Sequence, residues 1–126
     1  MDKRELISKL KALQSTLGIV TQAALAETVG TSQQNISVWL DPESESVPST
    51  ESLILLGKAA PLQDAVWFWE QAGLSDSAMT ALFLKLRKEA RSSVRRLWLQ
   101  EIASGEYAGQ WGLFEDDELT GLVDVS

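Results

Sequence analysis

A run of neutral hydrogen-bonding side chains between residues 32 and 37 has chemistry suited to recognising another molecule. The run consists of Ser32, Gln33, Gln34, Asn35 and Ser37. Glutamine and asparagine amides carry a donor and an acceptor side by side, and this pair matches the N6 and N7 atoms on the major-groove edge of adenine. The sequence therefore indicates a surface that can form paired hydrogen bonds with the bases of double-stranded DNA.

Two short helices are predicted around the start of this run. Thr21 has the side chain of an N-cap for a helix over residues 22–29, and Gly30 supplies the positive φ that a tight turn between helices needs. Ser32 is the predicted N-cap of the next helix, whose apolar face consists of Ile36, Trp39 and Leu40. The amides then occupy the first turn of the second helix, which enters the major groove in a helix-turn-helix.

The remaining helices of the N-terminal part are predicted from apolar spacing and breaker residues. Leucines at helical spacing indicate a first helix over residues 2–17. A loop rich in proline, serine and glutamate follows the third helix, and further helices are expected at about 49–60 and 62–72. We therefore predict an all-α fold with a five-helix domain over residues 1–73.

The second segment, residues 74–126, is predicted to hold one long amphipathic helix and an acidic tail. Apolar residues keep helical spacing over residues 77–104, which corresponds to roughly 40 Å of helix. Residues 105–126 carry six carboxylates and no basic side chain, together with Trp111 and Phe114. We expect this segment to support dimerisation or to bind a protein partner.

The sequence of residues 21–40, TQAALAETVGTSQQNISVWL, resembles the helix-turn-helix of lambdoid phage repressors and Cro proteins, the xenobiotic-response-element type. The resemblance covers about residues 5–73. It implies a repressor-like helix-turn-helix domain that binds double-stranded DNA sequence-specifically. It further implies a transcriptional regulator that acts as a homodimer.

The resemblance also implies roles for individual residues. DNA base contacts are implied for Gln33, Gln34, Asn35 and Ser37. DNA phosphate contacts are implied for Thr21, Gln22 and Ser32. The fifth helix often supports dimerisation in this family, which indicates Trp67 and Trp69 as dimer or interdomain contacts. One helix cannot bury residues 67, 68 and 69 on a single face, so at least one of these aromatic rings needs another partner.

The net charge of −7 is unfavourable for a DNA-binding protein, but the charges are distributed unevenly. Residues 41–76 carry one basic and seven acidic side chains, whereas residues 77–104 carry six and two. The predicted basic stripe on the long helix contains Lys88, Arg91 and Arg95, flanked by Lys85, Arg87 and Arg96. Three interpretations remain open for it: a solvated face, a contact with acidic segments of this chain, or contact with DNA phosphates.

Several function classes are not expected. The chain has neither cysteine nor histidine, no phosphate-cradling glycine loop and no nucleophile–base pair, so we predict no enzyme, no metal site and no cofactor. The N-terminus does not resemble a signal peptide, and no apolar run approaches a membrane span, so a cytoplasmic protein without a membrane partner is expected. The alternative function is a protein-interaction module, antitoxin-like or a phage regulatory adaptor, whose acidic-aromatic tail binds a protein partner.

Overall fold

The computed structural model describes residues 1–90 and 92–103, without the side chains of Arg87 and Ala103. Within these ranges every regular element is an α-helix and no strand occurs, which confirms the predicted all-α class. In the same residues, no helix has the length and apolar character that crossing a membrane requires. The acidic tail predicted over residues 105–126 lies outside the described residues.

Helix α1 (Lys3–Leu17) begins and ends as the sequence predicts. The Asp2 carboxylate caps it by accepting a hydrogen bond from the Arg4 backbone N–H at 2.9 Å, and Gly18 ends it with φ 67°. The buried leucines are Leu6, Leu10 and Leu13. These three residues are spaced at helical intervals, so they form one apolar face of α1.

Helices α2 (Gln22–Val29) and α3 (Gln33–Leu40) are joined by a short turn. Gly30 takes φ 91°, a backbone conformation that residues other than glycine rarely adopt. The backbone N–H groups of Gly30 and Thr31 both donate to the Ala26 carbonyl, at 2.8 and 2.9 Å, and so close the end of α2. Helix α3 packs against both α1 and α2.

Helices α4 (Thr50–Lys58) and α5 (Leu62–Gln71) pack closely against one another, and α4 also contacts α2. The close approach between α4 and α5 requires glycine at position 57, because a Cβ atom there would lie 2.7 Å from Cε2 of Trp69. The Trp69 indole nitrogen donates to the Ile54 carbonyl at 3.3 Å. Glycine at position 57 therefore admits the largest fully buried side chain of this helix pair.

The prediction of one long C-terminal helix is wrong, because the structure has two helices there, α6 (Asp76–Glu89) and α7 (Ser92–Ala103). Ala90 ends α6 with an extended backbone, ψ 150°. Phe83 and Trp98 are both fully buried, and their ring centroids are 5.2 Å apart. A continuous helix would separate these residues by about 22 Å along its axis. The break allows both aromatic rings to be buried together.

The chain divides into two compact units at residue 74. Unit 1 comprises Met1–Leu74 and contains α1 to α5. Unit 2 comprises Ser75–Ser126, of which the structure describes α6, α7 and the residues adjoining them. The buried residues of unit 2 include Met79, Leu86, Val94, Leu99 and Ile102, and they come from both of its helices.

Candidate nucleic-acid interface

The first turn of α3 is held by a side-chain cap and by the burial of its apolar face. The Ser32 hydroxyl accepts a hydrogen bond from the Asn35 backbone N–H at 3.1 Å. Ile36 and Trp39 are buried, with relative exposures of 0% and 3%. Successive residues of a helix are rotated by about 100°, so burial of these two fixes which residues of α3 face outward. The outward side includes Gln33, Gln34 and Ser37.

The amides of Gln33 and Gln34 occupy the exposed part of this turn. Among the described residues, neither side chain makes an intramolecular hydrogen bond. Each amide therefore keeps two N–H donors and one carbonyl acceptor for another molecule. Both amides project from a capped helix turn, and the cap fixes the backbone to which the two side chains are attached.

Asn35 is exposed but already engaged. Its Nδ2 atom donates to the Thr31 hydroxyl at 2.9 Å, across the turn between α2 and α3. One N–H donor and the carbonyl oxygen of this amide remain available. Ser37, one residue after the buried Ile36, is exposed, and its hydroxyl makes no hydrogen bond in the described structure. The four residues with implied base contacts therefore differ in how free their side chains are, because only the Asn35 side chain has an intramolecular hydrogen-bond partner.

Thr21 and Gln22 lie at the start of α2, and no hydrogen bond joins them to the α3 residues within the described chain. The Thr21 hydroxyl accepts from the Ala24 backbone N–H at 3.1 Å and is exposed, whereas Gln22 is half-buried. A hydroxyl that accepts in a cap retains its hydrogen, so Thr21 can still donate to an anionic oxygen. The adjoining Val20 is 93% exposed.

Lys3 is a residue of this site that the sequence analysis did not identify. Its ammonium donates to the Val38 carbonyl at 2.8 Å and to the Ser46 carbonyl at 2.6 Å. It therefore ties the start of α1 to the last turn of α3 and to the following loop. Burial lowers the pKa of Lys3 below its usual value, and the carboxylate of Asp41 partly opposes this shift. No local pattern could reveal the pairing, because the partners are 35 and 43 residues distant in sequence.

Apart from the Lys3 ammonium at its last turn, α3 lies in a stretch of sequence with only neutral and acidic side chains. Residues 12–57 contain neither lysine nor arginine. In the loop after α3, Asp41, Glu43 and Glu45 are exposed. The Asp41 carboxylate also accepts from the Glu43 backbone N–H at 2.9 Å, which shapes the first turn of that loop. An approaching anion would meet hydrogen-bond donors on α3 and carboxylates beyond its C-terminal end.

The two tryptophans of α5 have different environments. Trp69 is fully buried, so its ring offers no exposed surface to a second subunit. Trp67 is half-buried, its indole nitrogen donates to the Glu5 carboxylate at 3.0 Å, and the Lys9 ammonium lies 5.8 Å from its ring centroid. Lys9 also forms an ion pair with Asp64 at 2.9 Å. Trp67 thus already has partners on α1 within unit 1.

The predicted basic stripe does not lie on a single helix. Lys85 and Lys88 are on α6 and are exposed, whereas Arg95 and Arg96 are on α7, half-buried and exposed respectively. Arg91 and the side chain of Arg87 lie outside the described structure. The break after α6 therefore separates the basic side chains that the structure describes into one pair on α6 and one pair on α7.

The described residues offer no cluster of metal ligands. They contain no group of three or more histidine, cysteine, aspartate or glutamate residues that could hold a metal ion. Comparison with protein-family models, curated proteins and solved structures gave no match to this chain. The geometry of the exposed polar side chains on α2 and α3 is therefore the observation from which a function can be argued.

Proposed function

We propose that the protein binds double-stranded DNA sequence-specifically through the first turn of α3. The observation that carries this proposal is the exposure of two neighbouring amides, Gln33 and Gln34, without intramolecular hydrogen bonds among the described residues. A buried amide or one satisfied by the protein itself would have no capacity to contact a base. These two amides retain that capacity on a capped and therefore ordered helix turn.

Helix geometry favours the major groove as the binding site. The major groove is about 12 Å wide and admits an α-helix, and glutamine can form two hydrogen bonds with the N6 and N7 atoms of adenine. A good bidentate contact contributes about 1–3 kcal/mol of discrimination against another base. We therefore expect the preferred site to have adenine at the positions that Gln33 and Gln34 contact. Ser37 is assigned a supporting base contact.

Residues at the helix starts are assigned the phosphate contacts. The hydroxyls of Thr21 and Ser32 cap α2 and α3, and each retains a hydrogen to donate. Helix N-termini attract anions because their backbone N–H groups and macrodipole favour negative charge. Gln22, the first residue of α2, adds an amide donor at the same end. The intramolecular bond of Asn35 supports a second role for that residue, in bracing the turn.

A homodimer that regulates transcription is the form of the protein that best suits this proposal. One α3 helix contacts too few base pairs for useful specificity. A two-fold pair of α3 helices separated by about 34 Å would contact successive major grooves on one side of the duplex. The preferred site should then be palindromic.

Selection of duplex oligonucleotides from a random pool tests the proposal. The wild-type chain should enrich a palindromic motif with adenine at contacted positions. Gln33→Ala and Gln34→Ala should each relax the preference at particular positions of that motif. Gln63→Ala, an exposed glutamine on α5, is the matched control and should enrich the wild-type motif. Failure of the wild-type chain to enrich any motif would reject the proposal.

The exposed carboxylates after α3 favour a second candidate function, a protein-interaction module. Asp41, Glu43 and Glu45 would repel a phosphate backbone but suit a basic protein surface. The double variant Glu43→Gln, Glu45→Gln distinguishes the candidates. It should strengthen DNA binding if α3 approaches a duplex, because repulsion is reduced. It should leave binding to DNA unchanged and weaken binding to a protein partner if the second candidate is correct.

A further inference from the structure

Unit 2 carries basic side chains that have no partner within the described residues. Lys85 and Lys88 project from the second half of α6, and Arg95 and Arg96 from the first half of α7. Three of the four are exposed, and Arg95 is half-buried. None of the four side chains makes a hydrogen bond or ion pair in the part of the chain that the structure describes. We call these four residues the basic corner, because they flank the break between α6 and α7.

The basic corner supplies what the proposed α3 interface lacks. Phosphate neutralisation by lysine and arginine provides a large part of the affinity of proteins for DNA. Residues 12–57, which include all of α2 and α3, have no basic side chain. On α1, the ammonium of Lys3 is held by two carbonyls and that of Lys9 by Asp64. The exposed basic residues of unit 1 are Arg4 and Lys11, both on α1, so α2 and α3 themselves offer no cation to a duplex.

We propose that the basic corner binds the phosphate backbone of double-stranded DNA. This inference rests on the proposed function, and it assigns the electrostatic part of binding to unit 2. The guanidinium group of arginine and the ammonium group of lysine both donate charge-assisted hydrogen bonds to phosphate oxygens. Chain geometry places the Cα atoms of Lys88 and Arg96 within about 22 Å of one another. That span is shorter than one duplex turn of about 34 Å, so these two residues can reach the same stretch of backbone.

A phosphate backbone suits the corner better than an acidic protein segment. Exposed pairs between basic residues and carboxylates contribute only about 0–1 kcal/mol each. Duplex DNA adds the release of condensed counterions, and this makes each contact measurable as a change in salt dependence. The two occupants therefore predict different results in a DNA titration.

Binding of the full chain to its selected duplex should be titrated at several salt concentrations. The triple variant Lys85→Gln, Lys88→Gln, Arg96→Gln changes exposed positions only. Each lost phosphate contact reduces the steepness of the negative slope of log K against log salt by about 0.9, so its magnitude should fall by up to about 2.7. Binding to unrelated duplexes should weaken by the same factor. Arg4→Gln, Lys11→Gln on α1 is the control and should change the slope less.

The outcomes separate this inference from the proposed function. If the wild-type chain binds no duplex, both are overturned. If it binds a selected site and the folded triple variant keeps the wild-type slope, the basic corner does not contact phosphates and the inference is overturned. Circular dichroism of the triple variant establishes that it is folded. A shallower salt dependence with unchanged preference for the selected motif supports the inference.

Discussion

The side-chain amide of Asn35 donates a hydrogen bond to the hydroxyl of Thr31, 2.9 Å away, across the turn that leads into α3. This bond connects the last residues of the turn to the first turn of the helix. It also distinguishes Asn35 from the neighbouring glutamines, whose amides have no such partner in the described structure. The stability of the turn and the binding of DNA can therefore be tested at different residues.

Loss of the bond between Thr31 and Asn35 should cost a small amount of stability. We expect Thr31→Val to lower the free energy of unfolding by about 0.5–1.5 kcal/mol, because an exposed neutral hydrogen bond contributes in this range. Urea unfolding of Thr31→Val, Asn35→Ala and the double variant measures the coupling directly. Additive losses in the two single variants would show that the bond contributes nothing to stability.

Removal of the contacts of Lys3 should destabilise the end of α3. Lys3→Met keeps the aliphatic stem but loses both hydrogen bonds, to Val38 and to Ser46. We expect a loss of about 1–3 kcal/mol in the free energy of unfolding. Lys11→Met, an exposed lysine on the same helix, is the control and should change stability little. Equal effects of the two substitutions would contradict the assigned role.

The lowered pKa of Lys3 predicts the sign of a pH dependence. Since the folded-state pKa lies below the unfolded value of 10.5, the unfolded state binds more protons in the window between the two. Stability attributable to Lys3 should therefore rise as pH increases through that window. The difference in unfolding free energy between wild type and Lys3→Met, measured from pH 7 to pH 10.5, should grow with pH. A difference that shrinks with pH would reverse the assignment.

A proline substitution tests the break between α6 and α7. Ser92 is the first residue of α7, a position where proline is tolerated because that N–H has no helical partner. Ser92→Pro should therefore leave helix content almost unchanged. Lys85→Pro, inside α6, should cost about 3 kcal/mol or more. A large loss of ellipticity in Ser92→Pro would instead favour one continuous helix.

Local signals predicted most of the fold, and long-range contacts account for what they missed. Leucine spacing identifies α1, and caps at Thr21 and Ser32 with the glycine at position 30 identify α2 and α3, because these signals act within four residues. The break after α6 follows instead from the joint burial of Phe83 and Trp98, which helical spacing alone cannot show. The same spacing suits both one long helix and two shorter ones.

The candidate site was predictable in part for a similar reason. Exposure of Gln33 and Gln34 follows from the apolar positions of α3, which a sequence displays directly. The hydrogen bonds of Lys3 and the burial of Trp69 against Gly57 depend on elements that are distant in sequence. Local sequence patterns do not show which distant residues will meet, so these contacts could not be predicted.

The most direct measurement of the central claim combines one protein change with one DNA change. The Kd of wild type and of Gln34→Ala should be measured for the selected duplex and for the same duplex with its contacted adenine replaced. Wild type should bind the altered duplex about 5–150-fold more weakly, which corresponds to 1–3 kcal/mol, and Gln34→Ala should bind both duplexes equally. Undiminished discrimination by both Gln34→Ala and Gln33→Ala would contradict the claim that these amides contact bases.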